Sequence, residues 1–433
     1  MRRVLLRLLL LGMAAALAVA AWVVAASFTH HLTLLAFIAL VVFCLSGYIL
    51  LRWAGSGAET TDRRAERTSR VRWLITGAVV YMLVAQLGIG RAPQRTLAEP
   101  SAVERTSAWT LGDAARLAYL HVPARGPQRG PPIVMLHDGP GIPALPELAH
   151  GPARPLDFAA DSGFDVYYYD QRGAGLSDRL DLRESEPYSV ERHVRDLEEI
   201  RTLIGAERLI LAGHGWGATL AINYTAAHPE RVAKLLLLAP APLWYAEEPE
   251  FVDPAARARI DDVEASALAL AQRPTPRLLI GRLTALTSSR AAHTLVHDWE
   301  ADQWWTNATR RAMELGQPRM TCRSDPTWGL PSLEGLGFFA YSYTVADALR
   351  RPDPRPALAR TETPALVVRG LCDFVQGRVA QSYLDALPGA LYVAIPGAGH
   401  LIWAEQQPLF EQVASAFLLD RDVPLTFYSP RAR

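Results

Sequence analysis

The sequence has few cysteines, no excess charge of either sign and no familiar metal-binding pattern. Its 433 residues include 44 basic and 44 acidic residues, so no overall basic charge suggests a nucleic-acid partner. Neither CxxC nor HExxH occurs, and nothing in the sequence indicates a metal or a cofactor. The three cysteines are Cys44, Cys322 and Cys372. A disulfide between the last two would suit an oxidising compartment, but two unpaired buried thiols explain the sequence equally well.

Long apolar runs, in contrast, dominate the first 90 residues. They cover residues 8–26, 32–51 and 73–90, and each is close to the 20 or so residues that cross a bilayer core. A cleaved signal peptide would explain only the first run. Six arginines lie in the loop at residues 52–72, whereas the loop between the first two runs has no charged residue. The positive-inside rule therefore predicts a multi-pass protein of the cell membrane, in contact with lipid, whose chain beyond residue 90 lies outside the cytoplasm.

The rest of the chain separates into a linker, a core, a lid and a tail. After the membrane region, residues 1–90, a proline-containing stretch at 91–107 reads as a linker. Short apolar strands alternate with helices over residues 108–240 and 357–420, which predicts an α/β core with a mostly parallel sheet flanked by helices. Residues 241–356 have helical patterns and no clear buried strand, so we expect a helical lid. Residues 421–433 form a tail.

One stretch of the core, residues 209–224, predicts a buried strand, a tight glycine-rich turn and a helix. This is the layout of the nucleophile elbow G-x-S-x-G, which presents a side chain at the top of a parallel sheet. Gly213 and Gly217 take the outer positions, but the middle position is Gly215, which has no side chain. We therefore expect no serine acyl-enzyme. No neighbour offers an evident replacement, including Thr219, Ser177 and His214.

Two other loops follow strands in the order that this kind of site requires. Asp373 comes after one predicted strand and His400 after the next, so the acid and the histidine follow the elbow in sequence. We expect Asp373 to accept a hydrogen bond from His400 and to fix its ring. Backbone N–H groups of Trp216 and Gly139 are the expected oxyanion hole. Asp138, beside Gly139, is either a harmless loop acid or a second acid–base group.

Three motifs together carry a resemblance to a known family. His-Asp-Gly-Pro-Gly at 137–141, Asp-Gln-Arg-Gly-Ala-Gly-Leu-Ser at 170–177 and Gly-His-Gly-Trp-Gly at 213–217 resemble the HGGPG, DQRGxGxS and GGSWG of proline iminopeptidases, a branch of the α/β-hydrolases. The resemblance covers roughly residues 100–420. It implies an α/β-hydrolase fold with a helical lid, and Glu300 as a group that binds the substrate's amine, although a solvated helix glutamate is the simpler interpretation. Gly215 and Asp138 depart from the family pattern.

The sequence leaves three functional hypotheses. The first is an enzyme in which His400, held by Asp373, acts on water or on a small molecule by non-covalent hydrolysis, elimination, isomerisation or cyclisation. The second is a catalytically silent pseudo-hydrolase that binds a ligand or acts as a scaffold. The third is an aminopeptidase or esterase that acts on short peptides, with Gly215 an altered nucleophile position. Retention of the Asp373–His400 pair favours the first.

Overall fold

The computed structural model of the chain describes residues 2–55, 63–97, 100, 104–145, 148, 154–248, 250–252, 262–316, 320–323 and 333–424. These residues form two compact units. The first consists of residues 1–96, 181–186 and 273–301, and the second contains the remainder of the chain. Part of the predicted lid therefore belongs to the unit that contains the N-terminal helices. Residues 425–433 of the predicted tail lie outside the described residues.

The first unit begins with three long helices, α1 (Arg2–Ala26), α2 (Leu32–Gly55) and α3 (Arg63–Gly88). All three are long and apolar enough to cross a membrane, over Val4–Ala26, Leu32–Trp53 and Arg67–Gly88. The third helix begins ten residues before the predicted apolar run, because the arginine-rich stretch continues the same helix. Within this unit the Trp22 indole N–H donates to Thr284 Oγ1 at 2.9 Å, so a helix of the predicted lid contacts α1.

The second unit is built on an eight-stranded sheet in the order β1-β2-β4-β3-β5-β6-β7-β8. The β1–β2 and β2–β4 pairs are antiparallel and the other pairs are parallel. Buried aliphatic residues fill the central strands, as expected for a parallel sheet covered on both faces. The strands are β1 (Thr106–Thr110), β2 (Arg116–Val122), β3 (Ile133–Leu136), β4 (Val166–Tyr169), β5 (Leu209–His214), β6 (Val232–Leu238), β7 (Ala365–Gly370) and β8 (Leu391–Ile395).

The strand and the helix predicted within residues 209–224 are present, at Leu209–His214 and Trp216–Ala227. Another helix covers Val190–Ile204, with Ser189 accepting from the Arg192 N–H at its start and Gly205 in a left-handed conformation at its end. The mostly parallel α/β sheet is confirmed. The remaining helices are α4 (Asp157–Asp161), α5 (Val190–Ile204), α6 (Trp216–Ala227), α7 (Asp262–Ala271), α8 (Pro276–Ala285), α9 (Ser289–Leu295), α10 (Asp298–Glu314), α11 (Phe338–Ala348), α12 (Arg355–Leu358), α13 (Gly377–Ala386), α14 (Ile402–Glu405) and α15 (Gln407–Leu418).

A disulfide joins Cys322 to Cys372, with their Cα atoms 5.3 Å apart. The alternative of two unpaired thiols is therefore wrong. Cys372 precedes Asp373, and the Met320 carbonyl accepts a hydrogen bond from the His400 backbone N–H at 2.8 Å. The bridge consequently joins the loop that carries the predicted acid to the segment that hydrogen-bonds to the His400 backbone.

Candidate active site

The elbow lies where β5 meets α6. Gly215 connects them with φ 51° and ψ −119°, a positive φ that few side chains tolerate. Gly217 is needed for a different reason, because a Cβ there would overlap the carbonyl oxygen of Leu136 at the end of β3. The turn therefore lies directly against the loop that follows β3, which is the loop that begins with His137 and Asp138.

The acid and the histidine meet at the same edge of the sheet. Asp373 follows β7 and His400 follows β8, and the carboxyl ends of neighbouring parallel strands lie side by side. His400 Nδ1 lies 2.9 Å from Asp373 Oδ1, and the side chains are 2% and 1% exposed. Asp373 Oδ1 also accepts from the Val375 N–H. Because Nδ1 donates to the carboxylate, the ring is fixed with Nε2 facing the elbow.

The Asp138 carboxylate occupies the elbow. Its Oδ1 accepts hydrogen bonds from the Trp216 and Gly139 N–H groups, each at 2.8 Å. These are the two donors that were expected to form an oxyanion hole. Oδ2 lies 3.3 Å from Nε2 of His400. A Cβ built on Gly215 would overlap Asp138 Oδ1, so the carboxylate fills the space that a side chain at position 215 would need.

Charge in this cluster favours a protonated imidazole between two carboxylates. Burial lowers the pKa of His400, but the Asp373 charge and the hydrogen bond to Asp138 raise it to about 10. Burial raises the pKa of Asp138, yet the hydrogen bond and positive charge of His400 outweigh burial and hold it well below its usual range. The group at rest is therefore an imidazolium flanked by two carboxylates, one of them 24% exposed.

Residues of the second motif support the loop that carries Asp138. The Gln171 backbone N–H donates to His137 Nε2 at 2.7 Å, and its side-chain amide donates to the His137 carbonyl at 3.0 Å. The Gln171 side-chain oxygen accepts from the Trp216 indole at 3.0 Å. Behind the site, His214 Nε2 donates to the His400 carbonyl at 3.1 Å. Burial, with the positive His400 nearby, lowers the His214 pKa to about 4, so this ring is neutral.

This arrangement of sheet, elbow, acid and histidine agrees with the protein family whose model matches the sequence. The model of the alpha/beta hydrolase fold family matches residues 131–406, more than half of the chain. The chain belongs to the alpha/beta hydrolase fold family.

Individual relatives of this hydrolase are moderately similar. It is 28% identical over 300 residues to a proline iminopeptidase of Lactobacillus delbrueckii subsp. bulgaricus, covering 67% of this chain and 90% of the relative. It is 36% identical over 120 residues to epoxide hydrolase A of Mycobacterium tuberculosis, covering 28% and 35% respectively. A solved proline iminopeptidase of Mycobacterium smegmatis is 19% identical, covers 73% of this chain and 98% of its own, and has a TM-score of 0.44.

The structure brings together six of the seven residues that the sequence singled out. Asp138, Gly139, Gly215, Trp216, Asp373 and His400 form one cluster. Glu300 instead belongs to the unit that contains the N-terminal helices. The interpretation of Glu300 as a solvated helix glutamate is wrong, because the residue is 3% exposed and pairs with Arg277 at 2.9 Å. Within the described residues its Oε1 has no hydrogen-bond partner.

Sequence reasoning missed the residues that hold this cluster in place. Gln171 and His137 lie in recognised motifs, but nothing in the motifs indicated that the two bond to each other. The sequence did contain one indication that Asp138 and Gly215 are linked, because both residues depart from the pattern of the same family. The neighbouring hydroxyls are occupied elsewhere, since Thr219 donates to the Pro242 carbonyl and Ser177 to the Asp170 carbonyl.

Three side chains here have a spacing that could hold a metal ion. Ligand atoms of Asp138, His214 and His400 all lie within 4.8 Å of one another. Each residue also has a protein partner, because Asp138 pairs with His400 and His214 Nε2 donates to the His400 carbonyl. An imidazolium cannot ligate a metal. The cluster therefore suits a protonated His400 between two carboxylates better than it suits a bound metal ion.

We expect Gly215→Ala to destabilise this hydrolase, because the new Cβ overlaps Asp138 Oδ1 and the backbone φ is positive. Overpacking and backbone strain together should lower the free energy of unfolding by about 2–4 kcal/mol. Asp138→Ala should relieve the overlap, so the double variant should show a coupling energy of about 1–3 kcal/mol in a denaturant-titration cycle.

The matched control for this cycle is Gly205→Ala. Gly205 also has a positive φ, 75°, but nothing lies within 4 Å of the Cβ it would gain. It should show backbone strain alone, about 1–2 kcal/mol, and no coupling to Asp138. Additive effects of Gly215→Ala and Asp138→Ala would contradict the placement of the carboxylate in the elbow.

We also expect the charge of His400 to make stability depend on pH in a defined direction. Its pKa is raised from 6.5 to about 10, so the stabilisation is fully present below pH 6.5 and is lost as the pH rises through about 10. Asp138→Asn should lower this pKa, because it removes one of the two carboxylates. Histidine NMR titration would measure the change, and a His400 resonance that titrates near 6.5 in the unmodified chain would contradict this expectation.

Proposed function

We propose that this chain is a membrane-anchored α/β-hydrolase that acts on a small molecule without a serine acyl-enzyme, through proton transfer by His400. One observation carries the proposal: His400 lies between Asp373 and Asp138 beside an elbow whose middle residue has no side chain. A histidine held by a carboxylate is a general acid–base group whose removal costs about 10²–10⁴ in rate. Gly215 supplies no nucleophile.

A serine-type acyl transfer is also disfavoured by the state of the expected oxyanion hole. Such a hole must offer its N–H groups to the oxygen that becomes negative during the reaction. Here the Trp216 and Gly139 N–H groups both donate to the Asp138 carboxylate. A substrate oxyanion would have to displace an ionised side chain from its two donors. This displacement disfavours ordinary peptide cleavage.

Membrane anchoring and an extracytoplasmic hydrolase domain complete the proposal. The three apolar helices support it, together with the arginines of residues 52–72 at the end of α2 and the start of α3, through the positive-inside rule. The Cys322–Cys372 disulfide adds support, because structural disulfides persist mainly in oxidising compartments. Lipid and a small-molecule or short-peptide substrate are the proposed partners.

Two alternatives follow from particular observations. A silent binding protein would explain the missing nucleophile, but it has no chemical need for a buried Asp373–His400 pair. An aminopeptidase is suggested by the name of the proline iminopeptidase relative. For that activity Glu300 would bind the amine, which stays a prediction, and serine at 215 would require Asp138 to leave the elbow.

We expect His400→Ala to reduce turnover by about 10²–10⁴ for any substrate that the chain consumes. The measurement is product release from a panel of esters, proline amides and epoxides, the last suggested by the name of the second relative. His228→Ala is the matched control, because His228 follows the far end of α6, about 18 Å along the helix from the elbow. Equal turnover in both variants would contradict the proposal.

The same panel separates the alternatives. Asp138→Gly with Gly215→Ser would restore the glycine of HGGPG and the serine of GGSWG, without the overlap that Gly215→Ser alone produces. Proline-amide cleavage by the unmodified chain would favour the aminopeptidase. Ligand binding that is unaffected in His400→Ala, with no turnover of any compound, would favour the binding protein.

The proposed membrane topology can be measured independently of activity. A reporter enzyme that is active only outside the cytoplasm should be active when fused after Arg433 and inactive when fused within the loop at 52–72. We expect this because the arginines of that loop should remain in the cytoplasm. Activity of a cytoplasm-only reporter at the C-terminal position would contradict the topology.

A further inference from the structure

The two oxygens of the Asp138 carboxylate have different surroundings. Oδ1 is held by two backbone N–H groups, from Trp216 and Gly139. Among the described residues no backbone N–H donates to Oδ2, which lies beside His400 Nε2 at 3.3 Å. The side chain keeps 24% of its surface exposed, whereas His400 and Asp373 are almost completely buried. Asp138 is therefore the member of the cluster that an incoming molecule can reach.

We propose that Asp138 is a nucleophile whose Oδ2 attacks a saturated carbon of a strained ring ether, an epoxide, to form an alkyl ester on the protein. This deepens the function proposed above and rests on it, since it uses the same His400. Carboxylates are established protein nucleophiles that form covalent intermediates. The unusual feature is the position of the nucleophile, on the loop after β3 and within the space left by Gly215.

Attack at a saturated carbon fits this site better than attack at an acyl carbon. Acyl attack would create a substrate oxyanion, and the donors able to stabilise it already bind Asp138 Oδ1. Displacement at a saturated carbon creates no tetrahedral oxyanion on the substrate. The first step therefore needs no free oxyanion hole.

The second step uses the N–H pair in the usual way. Water attacks the carbonyl carbon of the new ester, and the oxygen that becomes negative is Oδ1 of Asp138. That oxygen is already bonded to the Trp216 and Gly139 N–H groups. The donors would thus stabilise an oxyanion formed on the protein's own side chain rather than on the substrate.

The protons balance for a ring ether. At rest Asp138 is ionised and His400 is protonated. Oδ2 forms a bond to a ring carbon, the ring C–O bond breaks, and the released alkoxide takes the proton from His400 Nε2. The products of this step are a neutral hydroxyalkyl ester and a neutral imidazole.

Esterification also prepares His400 for the second step. In the part of the chain that the structure describes, three titratable groups face its ring, namely Asp138, Asp373 and the neutral His214. Converting Asp138 to an ester removes one of the two negative charges that keep the imidazole protonated, so the ring can act as a base. It removes a proton from water, the water oxygen bonds to the ester carbon, and collapse expels the diol alkoxide. The alkoxide takes the second proton of that water, which restores ionised Asp138 and protonated His400.

The test follows the oxygen of water during a single turnover. The full chain, in excess over a terminal epoxide such as styrene oxide, reacts in water enriched in heavy oxygen, and both the diol and the Asp138 peptide are analysed by mass spectrometry. We expect the heavy oxygen in the Asp138 carboxylate and not in the first diol released. Acid quenching during turnover should trap the hydroxyalkyl ester on the same peptide.

Variants and controls make the result decisive. Asp138→Ala should reduce turnover by about 10⁴-fold or more, as expected for loss of a nucleophile. Asp161→Ala is the matched control, because Asp161 is a surface aspartate that is 60% exposed. A correctly folded Asp138→Ala variant with unchanged turnover would overturn the inference. A chelator should have no effect, and turnover abolished by chelation would overturn it in favour of a metal held by Asp138, His214 and His400.

Failure of this inference is distinguishable from failure of the function proposed above. Heavy oxygen in the first diol, with turnover dependent on His400, would overturn the ester at Asp138 and leave direct activation of water by His400. Absence of reaction with every terminal epoxide tested, while another compound is consumed in a His400-dependent way, would also overturn it. Turnover that is independent of His400, or no turnover of any compound, would contradict both.

Discussion

The two hydrogen bonds that the Trp216 and Gly139 N–H groups donate to Asp138 Oδ1 are the contacts on which the rest of the site depends. They place an ionised carboxylate in the volume that a side chain at position 215 would occupy. Two of the departures from the family motifs, Asp138 and Gly215, therefore have one steric cause. A glycine at the elbow makes room for the carboxylate, and the carboxylate would overlap any larger residue there.

The state of His400 follows from the same placement. With Asp373 behind the ring and Asp138 in front of it, the imidazole is held as a cation, and its pKa rises to about 10. In a site with a serine hydroxyl, only one carboxylate would face the ring, and a neutral imidazole would be available as a base at once. Here the ring first acts as an acid and becomes a base only when Asp138 loses its charge.

Much of the fold could be predicted from the sequence, because local signals determine it. The mostly parallel sheet and the strand and helix on either side of Gly215 lie where the sequence predicted them. The contact between Asp373 and His400 could also be predicted, because the two residues follow consecutive strands. The contact between Asp138 and Gly215 could not be predicted, since it depends on how closely the loop after β3 approaches the elbow. The burial of Glu300 was missed because its partner Arg277 lies 23 residues away, in another helix.

The position of the carboxylate can be measured directly as a distance. The full chain is prepared in lipid with labelled nitrogen in its tryptophan amides and labelled carbon in its aspartate carboxyl groups. Solid-state NMR then reports the dipolar coupling between the Trp216 nitrogen and the Asp138 carboxyl carbon. The hydrogen bond implies a separation within about 4 Å, so we expect a strong coupling that disappears in Asp138→Asn. Identical couplings in the two proteins would show that the carboxylate lies outside the elbow.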